Sequence, residues 1–513
     1  LKKFTTHDSL PLILFKGDSN IFNMDFSCQN KTISTENLYF SAAADRNKIY
    51  ARNGEESLSM RLKADEQRYV EFKYTLSPES YRVDFDVNFV GMDELMSSHN
   101  WGYIPLKWEI DVPGQEKGKQ NENMYSTIYY KPVGENADYL SERSDDEEKL
   151  DYRIKWIGFK QQFFSNVLIA DKYFQAADLR STIIEDNKDY LKHYYADISI
   201  PYQGRADKTL PLHFYFGPNK YSTLRKYGKV KDGENLGLER MIPLGWSFFL
   251  MHWINRYLVI PVFNFLESGI SNYGIIILIL TILLKLVLFP LTYRSYRSTA
   301  KMRVLKLQTD EINKKIPKDK PLDRQKATMD LYKKVGVNPM SGCLIMLVQM
   351  PFLISMFRFF PTSFELRQQS FLWADDLSSY DSILDLPFEI PMYGDHVSLF
   401  CLLMTISTII YTRMQNKMQA SSQSMPGMKV MMYIMPLMFL VFLNNYSSGL
   451  SYYYLCANLI TFGQMAIIRR FVKDEDVMNK LESRKKQPPK KSKFQSRLEK
   501  MAKERGYKPT KRK

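Results

Sequence analysis

Cysteine and histidine are scarce in this chain of 513 residues, which contains four cysteines and six histidines. Cys343, Cys401 and Cys456 lie in or beside apolar segments, and Cys28 stands alone in the first half. This pattern excludes a disulfide framework and shows no zinc-binding spacing. The histidines before residue 243 form no metal-binding or catalytic-triad motif, and no P-loop motif for nucleotides occurs. We therefore expect no metal, no cofactor and no enzymatic activity.

Acidic residues are missing from the long apolar runs of the second half, and charge is distributed unevenly along the chain. Residues 1–243 are polar and contain 33 Lys and Arg against 37 Asp and Glu, so the net charge of +15 arises entirely in the second half. Residues 244–470 carry long apolar runs, and residues 471–513 are mostly charged. A chain of this length exceeds one hydrophobic core, so we predict several domains.

The first 243 residues show the alternation of β-strands. Apolar side chains recur at every second position from Val70 to Leu76 and again from Tyr81 to Phe89, with polar residues between them. This period of two is typical of strands with one buried face, and it predicts an antiparallel β-sandwich. We interpret the acidic run at 145–148 as a solvated loop rather than a cation site.

Five apolar stretches follow, at about 271–293, 341–360, 396–412, 428–444 and 450–468. Each is close to the roughly 17–25 residues that cross the hydrocarbon of a bilayer. A sixth stretch within 244–270 mixes His252, Asn255 and Arg256 with aromatic residues, a pattern that favours an amphipathic helix lying along the membrane interface. We predict a five-helix membrane core over 271–470.

The charges of the connecting segments predict the orientation of these spans. Segment 294–334 holds 13 basic and 5 acidic residues, and segment 469–513 holds 18 basic and 6 acidic residues. Segment 361–396 holds one basic residue and seven acidic ones. Segment 413–430 holds three basic residues and no acidic one. By the positive-inside rule the three basic segments are cytoplasmic and the acidic segment is outside, which puts the β-domain outside as well. If 244–266 also spanned the membrane, the β-domain would instead be cytoplasmic. Pro317 and Pro321 divide 294–334 into a predicted basic helical hairpin.

Lys285 is the charge that does not fit its surroundings, because it interrupts the first apolar stretch. Placing a lysine at the bilayer centre costs about 2.5–3.5 kcal/mol on insertion scales. The lysine either snorkels to the interface without a role or faces a water-filled cavity, and we favour the cavity. Candidate groove residues are Lys285, Thr281, Gln349, Tyr454, Asn458 and Gln464. Each polar residue could equally make an ordinary hydrogen bond between helices.

Methionine is concentrated on the second and fourth apolar stretches. Because methionine adapts to varied apolar partners, these residues predict either bundle packing or a lipid-facing slide for different client helices. The candidate slide residues are Met346, Met350, Met356, Met431, Met435 and Met438.

Several motifs together resemble the YidC insertase family of the Oxa/Alb superfamily, in its Gram-negative type with a large periplasmic domain. They are FYFGP at 214–218, FPLT at 289–292, AKMR at 300–303, VNPMSGC at 337–343, QMPF at 349–352, LWADDLS at 372–378, SSGLSYYY at 447–454 and Asn458. The resemblance covers about residues 217–470 and, more loosely, the β-domain.

The resemblance implies a multi-domain fold, with a periplasmic β-supersandwich followed by five transmembrane helices and a cytoplasmic helical hairpin. It also implies a hydrophilic groove that is open to the cytoplasm and to lipid, and a first membrane helix upstream of residue 1. The family carries arginine at the position matching Lys285. Lysine keeps the charge but lacks the planar fork of donors.

The function expected from these features is insertion of membrane proteins in the bacterial inner membrane. The expected partners are nascent membrane proteins, the lipid bilayer, the Sec translocon, and the ribosome through the basic tail 471–513, with the chain acting as a monomer. The tail is expected to be disordered or helical only when bound. An anion channel or transporter is the alternative, and a sugar-converting β-domain is a second one.

Overall fold

A computed structural model describes the chain except at residues 2, 18, 29–30, 44–48, 97–101, 204–207, 230–234, 245–248, 318–319, 336, 338–340, 419–425, 473 and 486–513. The chain divides into two compact units. The first consists of three separate segments, Leu1–Gly274, Ile354–Leu399 and Leu443–Leu450. The second contains Ile275–Leu353, Phe400–Phe442 and the described residues from Ser451 onward. The domain borders predicted at 243, 270 and 470 stay predictions.

The first unit contains an antiparallel β-sandwich. Its strands are β1 (Ile21–Cys28), β2 (Lys31–Ser34), β3 (Ser41–Ala42), β4 (Glu56–Lys63), β5 (Tyr69–Leu76), β6 (Arg82–Val90), β7 (Tyr103–Pro113), β8 (Thr127–Pro132), β9 (Asp138–Tyr139), β10 (Asp146–Leu150), β11 (Ile154–Lys160), β12 (Phe164–Phe174), β13 (Ala176–Ile183), β14 (Tyr190–Pro201) and β15 (Thr209–Pro218). One sheet has the order β10-β13-β14-β7-β1-β2, and the other has the order β3-β4-β5-β6-β15-β12-β11-β8-β9.

The alternation read from the sequence corresponds to the buried faces of these sheets. Val70 and Phe72 on β5 and Phe85, Val87 and Phe89 on β6 are buried in the hydrophobic core that both sheets share. The β5 and β6 strands pair in antiparallel register, with Phe72 opposite Val87. The prediction of a β-sandwich is confirmed.

The acidic run at 145–148 is not a loop, and that interpretation is wrong. Residues 146–148 belong to β10, which pairs with β13 at the end of its sheet. An end strand can carry charge because its outward side chains reach solvent. Glu147 forms an ion pair with Arg180 across the strands at 3.2 Å, and Glu148 accepts a hydrogen bond from the Tyr130 hydroxyl at 2.7 Å.

The first unit also contains short helices. They are α1 (Lys119–Asn123) within the sandwich, then α2 (Tyr221–Tyr227), α3 (Phe249–Ile254), a π-helical turn (Asn255–Val259) and α4 (Ile260–Glu267). Trp253, Tyr257 and Phe265 expose more than half of their surface. The interfacial position predicted for 244–270 remains a prediction, and the exposed aromatic side chains are compatible with it.

Each of the five apolar stretches forms a helix. The long helices are α5 (Tyr273–Val304), α8 (Ser341–Thr362), α9 (Leu399–Met418), α10 (Pro426–Leu443) and α11 (Ser448–Phe471). Two shorter helices, α6 (Lys306–Lys315) and α7 (Pro321–Lys334), lie between α5 and α8 and contact each other. Within the described residues, α5 alone is long and apolar enough to cross a membrane by length and composition, and the apolar parts of α9 and α10 are shorter.

The beginning of the basic tail is folded, contrary to the disorder expected for it. Helix α12 (Asp474–Lys485) buries Val477 and Leu481 in a hydrophobic cluster that also contains Tyr296 and Ile468. Asp474 forms an ion pair with Arg303. The sequence pattern of this helix is weak because only Val477, Met478 and Leu481 are apolar within a charged segment. Val477 and Leu481, four residues apart, form one narrow helical face.

A buried ion pair attaches segment 363–379 to the β-sandwich within the first unit. The Arg367 Nε lies 2.7 Å from the Glu116 carboxylate, and their side chains are 3% and 5% exposed. Arg367 also donates to the Thr5 carbonyl at 2.5 Å. Burial raises the pKa of Glu116 to about 7, although the guanidinium opposes this. Burial likewise raises the pKa of Glu122, which accepts hydrogen bonds from the backbone of residues 115 and 116.

Candidate functional site

Lys285 is held by polar groups of α11 within the second unit. Its Nζ donates a hydrogen bond to the Thr461 hydroxyl at 3.0 Å. That hydroxyl donates in turn to the Ala457 carbonyl at 2.7 Å, so its oxygen is free to accept from the lysine. The Gln464 amide donates to the Lys285 backbone carbonyl at 3.2 Å. The charge and the backbone of residue 285 are thus both contacted by one neighbouring helix.

The polar residues of α11 form a single stripe. Tyr454, Asn458, Thr461 and Gln464 are separated by four, three and three residues, which puts them on one face of a helix. Thr461 and Gln464 reach α5, while the Asn458 amide donates to the hydroxyls of Ser407 and Thr408 on α9 at 2.9 and 3.0 Å. This polar stripe of α11, defined as residues 454, 458, 461 and 464, is the centre of the candidate site.

Tyr454 extends the stripe toward α8. Its hydroxyl donates to the Leu353 carbonyl at 3.2 Å. The stripe therefore makes polar contacts with three other apolar helices, α5, α8 and α9. Hydrogen bonds of this kind stabilise helix contacts in an apolar environment, but they also provide the polar lining that a hydrated cavity needs.

A proline one turn beyond the lysine changes the backbone of α5. Pro290 lies inside the helix and has no N–H to donate to the carbonyl of Leu286, four residues earlier. Leu286 itself is 58% exposed, and Lys285 is half-buried beside it. The Leu286 carbonyl, which Pro290 leaves without its usual helical donor, and the ammonium group of Lys285 therefore belong to consecutive residues of the same helix.

No acidic residue is available in these helices to neutralise Lys285. The sequences of α5, α8, α9, α10 and α11 contain neither Asp nor Glu. Its described hydrogen-bond partner is a neutral hydroxyl. A half-buried lysine with a neutral partner retains its attraction for anions, because none of the described residues forms an ion pair with it. This arrangement is suited to transient binding of an acidic group.

The other predicted groove residues are placed differently. The Thr281 hydroxyl donates to the Ile277 carbonyl of its own helix at 2.6 Å, and the residue is fully buried. Gln349 is half-buried on α8. The sequence did not single out Thr461, Ser407 or Thr408, although Thr461 continues the spacing of Tyr454 and Asn458 and could have been found from it.

The methionines divide into exposed and buried ones. Met431, Met435 and Met438 lie at spacings of four and three along α10 and are 63%, 42% and 65% exposed, and Met350 on α8 is 40% exposed. Met356 is 0% exposed and is not part of an exposed surface. The side chain of Met346 lies outside the described residues. The exposed apolar face of α10 at residues 431, 435 and 438 is called the methionine face below.

The described part of the chain offers no place for a metal, since no three His, Cys, Asp or Glu side chains come together there in a way that could hold one. In the β-sandwich, His213 contacts Asp84 at 2.8 Å and His193 contacts Asp111 at 2.7 Å. Burial and the neighbouring Arg82 lower the pKa of His213. These are pairs on strand surfaces and do not form a catalytic constellation.

Comparison with known proteins gives the family. A family model described as 60Kd inner membrane protein matches residues 265–476, and one described as YidC periplasmic domain matches residues 1–260. Relatives named Membrane protein insertase YidC include that of Parabacteroides distasonis, 45% identical over 97% of this chain and 78% of the relative. Those of Azobacteroides pseudotrichonymphae and Bacteroides fragilis are 44% and 42% identical over 97% and 98% of this chain and 82% and 80% of their own lengths. With two family models that together match most of its length, the chain belongs to the YidC family of inner-membrane proteins with a periplasmic domain.

Proposed function

We propose that this chain is a membrane protein insertase, the function by which its relatives are named. Insertases of this family are not catalytic enzymes, so the work to be explained is the transfer of polar segments into and across a bilayer. Its clients are nascent membrane proteins, and the lipid bilayer receives their apolar helices. The observation that carries this proposal is the uncompensated charge of Lys285 among apolar helices.

In the proposed topology, α5, α8, α9, α10 and α11 each span the membrane. Segments 294–334 and 469–513 lie in the cytoplasm because they are strongly basic, and the acidic segment 361–396 lies in the periplasm with the β-sandwich. Helices α6 and α7 are then the cytoplasmic hairpin, and the basic tail is available to ribosomal RNA or ribosomal proteins. The Sec translocon is a further partner that this topology permits, and a single chain suffices for the site.

The proposed mechanism begins with capture of a polar tail. A hydrated acidic tail enters a groove lined by Lys285 and the polar stripe of α11, where charge and water lower the free energy of desolvating it. The apolar helix that follows the tail moves along the methionine face into lipid. Burial of that helix in hydrocarbon drives the process, so no nucleotide is hydrolysed.

Thr461 has a positioning role in this mechanism. We expect Thr461→Val, which keeps the side-chain shape, to lower insertion of a client with an acidic tail several-fold and to leave insertion of a neutral tail unchanged. The reason is that the ammonium group loses its hydroxyl acceptor and takes other rotamers. Insertion into vesicles containing the reconstituted full chain measures this.

Thr405→Val is the matched control for this substitution, because Thr405 is also buried and, like Thr461, donates to a carbonyl of its own helix, that of Cys401 at 2.9 Å. The described contacts of Thr405, unlike those of Thr461, include no lysine. If both variants depress both clients equally, the effect is general packing and the positioning role of Thr461 is wrong.

The methionine face is tested by photo-crosslinking. We expect a photoreactive amino acid at Met435 or Met438 to crosslink to the apolar helix of a stalled nascent chain, because these side chains are exposed and methionine surfaces accommodate varied partners. The same probe at Met465, which is 5% exposed on α11, is the control and should give little product. Equal yields at Met435 and Met465 would contradict the proposed path.

A further inference from the structure

A β-hairpin between α8 and α9 carries an apolar face that nothing in the described structure covers. Its strands are β16 (Leu384–Ile390) and β17 (Gly394–Val397), which form a sheet of their own. Leu384, Phe388, Ile390 and Met392 are 57%, 61%, 38% and 82% exposed. Exposed apolar clusters of this kind mark interaction surfaces.

The apolar residues of the hairpin alternate along the sequence with acidic residues and prolines. Apolar side chains occupy positions 384, 386, 388, 390 and 392, while the intervening positions hold Asp385, Pro387, Glu389 and Pro391. The register of β16 against β17 shifts between Asp385 and Ile390, and Met392 follows the end of β16, so exposure rather than strand alternation defines the surface. We call the exposed side chains of Leu384, Phe388, Ile390 and Met392 the apolar hairpin face.

The residue at the tip of the hairpin combines an unusual backbone conformation with an exposed apolar side chain. Met392 adopts a positive φ of 68°, a left-handed conformation that favours glycine or asparagine. A methionine held there is strained and 82% exposed, so it neither suits the turn nor packs in the described structure. Its side chain is therefore available for contact with something outside the chain.

The base of the hairpin, in contrast, is rigidly held. The buried Asn444 side chain donates to the carbonyls of Tyr393 and His396 at 2.9 and 2.8 Å, and it accepts from the Ser398 backbone N–H at 3.0 Å. The ring of Tyr380 stacks on His396 with their centroids 3.7 Å apart. A fixed base presents the tip in a defined direction, which a binding surface requires.

The connections of this base put the hairpin at the ends of three apolar helices. Helix α9 begins at Leu399, two residues after β17, and Asn444 lies in the short connection between α10 and α11. In the proposed topology all three of these helix ends are at the periplasmic surface of the membrane. The hairpin therefore lies at the boundary where an apolar surface meets lipid.

The composition of the hairpin favours lipid over a polypeptide as its partner. Pro387 within β16 and Pro391 directly after it cannot donate backbone hydrogen bonds, so β16 is a poor template for addition of another strand. The segment 383–395 holds three acidic residues and neither lysine nor arginine. An acidic hairpin gains nothing from anionic headgroups, unlike a basic membrane-binding helix.

We propose that the apolar hairpin face lies in the periplasmic interface of the bilayer, with Phe388, Ile390 and Met392 among the lipid headgroups and upper acyl chains. A strand of seven residues extends roughly 23 Å at 3.3 Å per residue, which exceeds the depth of a headgroup layer. The hairpin thereby fixes the height of the α8–α9 connection relative to the membrane. This inference rests on the proposed topology.

The test uses the full chain in vesicles of zwitterionic phosphatidylethanolamine and phosphatidylcholine. An encoded amino acid with an environment-sensitive fluorophore replaces Phe388 or Met392, or Asp385 or Glu389, which are acidic and also exposed, as controls in the same hairpin. We expect nitroxide-labelled lipid to quench positions 388 and 392 several-fold more than 385 and 389. We expect no gain when anionic phosphatidylglycerol is added.

Three outcomes overturn the proposal. Equal lipid quenching at the apolar and the acidic positions contradicts an oriented hairpin, access of aqueous iodide to all four positions contradicts membrane contact, and protection of 388 and 392 from both quenchers indicates a protein partner instead. The topology is read separately from position 389, because membrane-impermeant iodide must reach it from the side of the β-sandwich. If it does so while position 392 remains unquenched by lipid, the hairpin proposal fails and the topology stands.

Discussion

Lys285→Glu is expected to reduce insertion of a single-span client with an acidic tail by about tenfold or more, whereas Lys285→Arg retains most activity. Two unit charges about 4 Å apart interact by about 4 kcal/mol at an effective dielectric constant of 20, and about 1.4 kcal/mol already changes an equilibrium tenfold. Reversing the charge turns this attraction into repulsion. Arginine preserves it, and its planar fork can also bind a carboxylate with two hydrogen bonds.

The measurement is protease protection of the translocated tail in vesicles that contain the full-length variants at equal amounts. A client whose tail carries no charge is the control, and it should respond weakly to either substitution. A further client with a basic tail, which the positive charge of Lys285 repels, should insert better with the Glu variant than with the unmodified chain. The capture mechanism is wrong if the Glu variant inserts the acidic client as the unmodified chain does.

Arg367→Met is expected to destabilise the protein by about 3–5 kcal/mol, because it leaves a buried carboxylate without its partner. Glu116 is 5% exposed, so water cannot replace the guanidinium. At about 2–4 °C per kcal/mol, the β-sandwich should melt roughly 10 °C lower. Thermal unfolding of the full chain, followed by the β-sheet circular dichroism signal, measures this.

The loss of stability caused by Arg367→Met should increase with pH. The pKa of Glu116 is raised to about 7 beside the arginine and rises further without it. A carboxyl group whose pKa is raised in the folded state stabilises that state below its unfolded value, and the stabilisation is lost as pH rises through the folded value. The melting difference between variant and parent should therefore be larger at pH 9 than at pH 6.

Two controls belong with this experiment. Arg61→Met breaks a pair with Glu71 in which the arginine is 35% exposed, and surface pairs of this kind contribute about 1 kcal/mol or less. The double variant with Glu116→Leu and Arg367→Met removes both charges and should recover much of the loss. An Arg367→Met variant that melts with the parent would show that the buried pair contributes nothing.

The sequence predicts best where burial imposes a period. Val70, Phe72, Phe85 and Val87 alternate because one side of each strand faces the core, and a period of two has no other common cause. The helices α5, α8, α9, α10 and α11 were likewise foreseen from their length and apolarity. That they all span the membrane, with the hairpin on the cytoplasmic side, remains part of the proposal.

The sequence does not predict side-chain contacts between residues that are far apart in the chain. In the sequence, Thr461 cannot be distinguished from Thr405 or Thr281, whose hydroxyls donate to carbonyls of their own helices. No local pattern reveals that the Thr461 oxygen accepts from a lysine 176 positions away. Arg367 stands out as the single basic residue of an acidic segment, but its burial against Glu116 depends on a separation of 251 residues. Side-chain pairing of this kind is set by tertiary packing.

The discontinuity of the first compact unit has a consequence for biogenesis. The unit includes residues 443–450, where the Tyr446 hydroxyl meets that of Tyr125 at 2.5 Å across a separation of 321 residues. Ribosomes deliver the chain from its amino end, so the strands of the sandwich, which end at residue 218, are made before residue 446 is available for this contact. Closing so long a loop is a slow, entropically disfavoured step. Completion of the first unit is thereby timed by synthesis of the connection between α10 and α11.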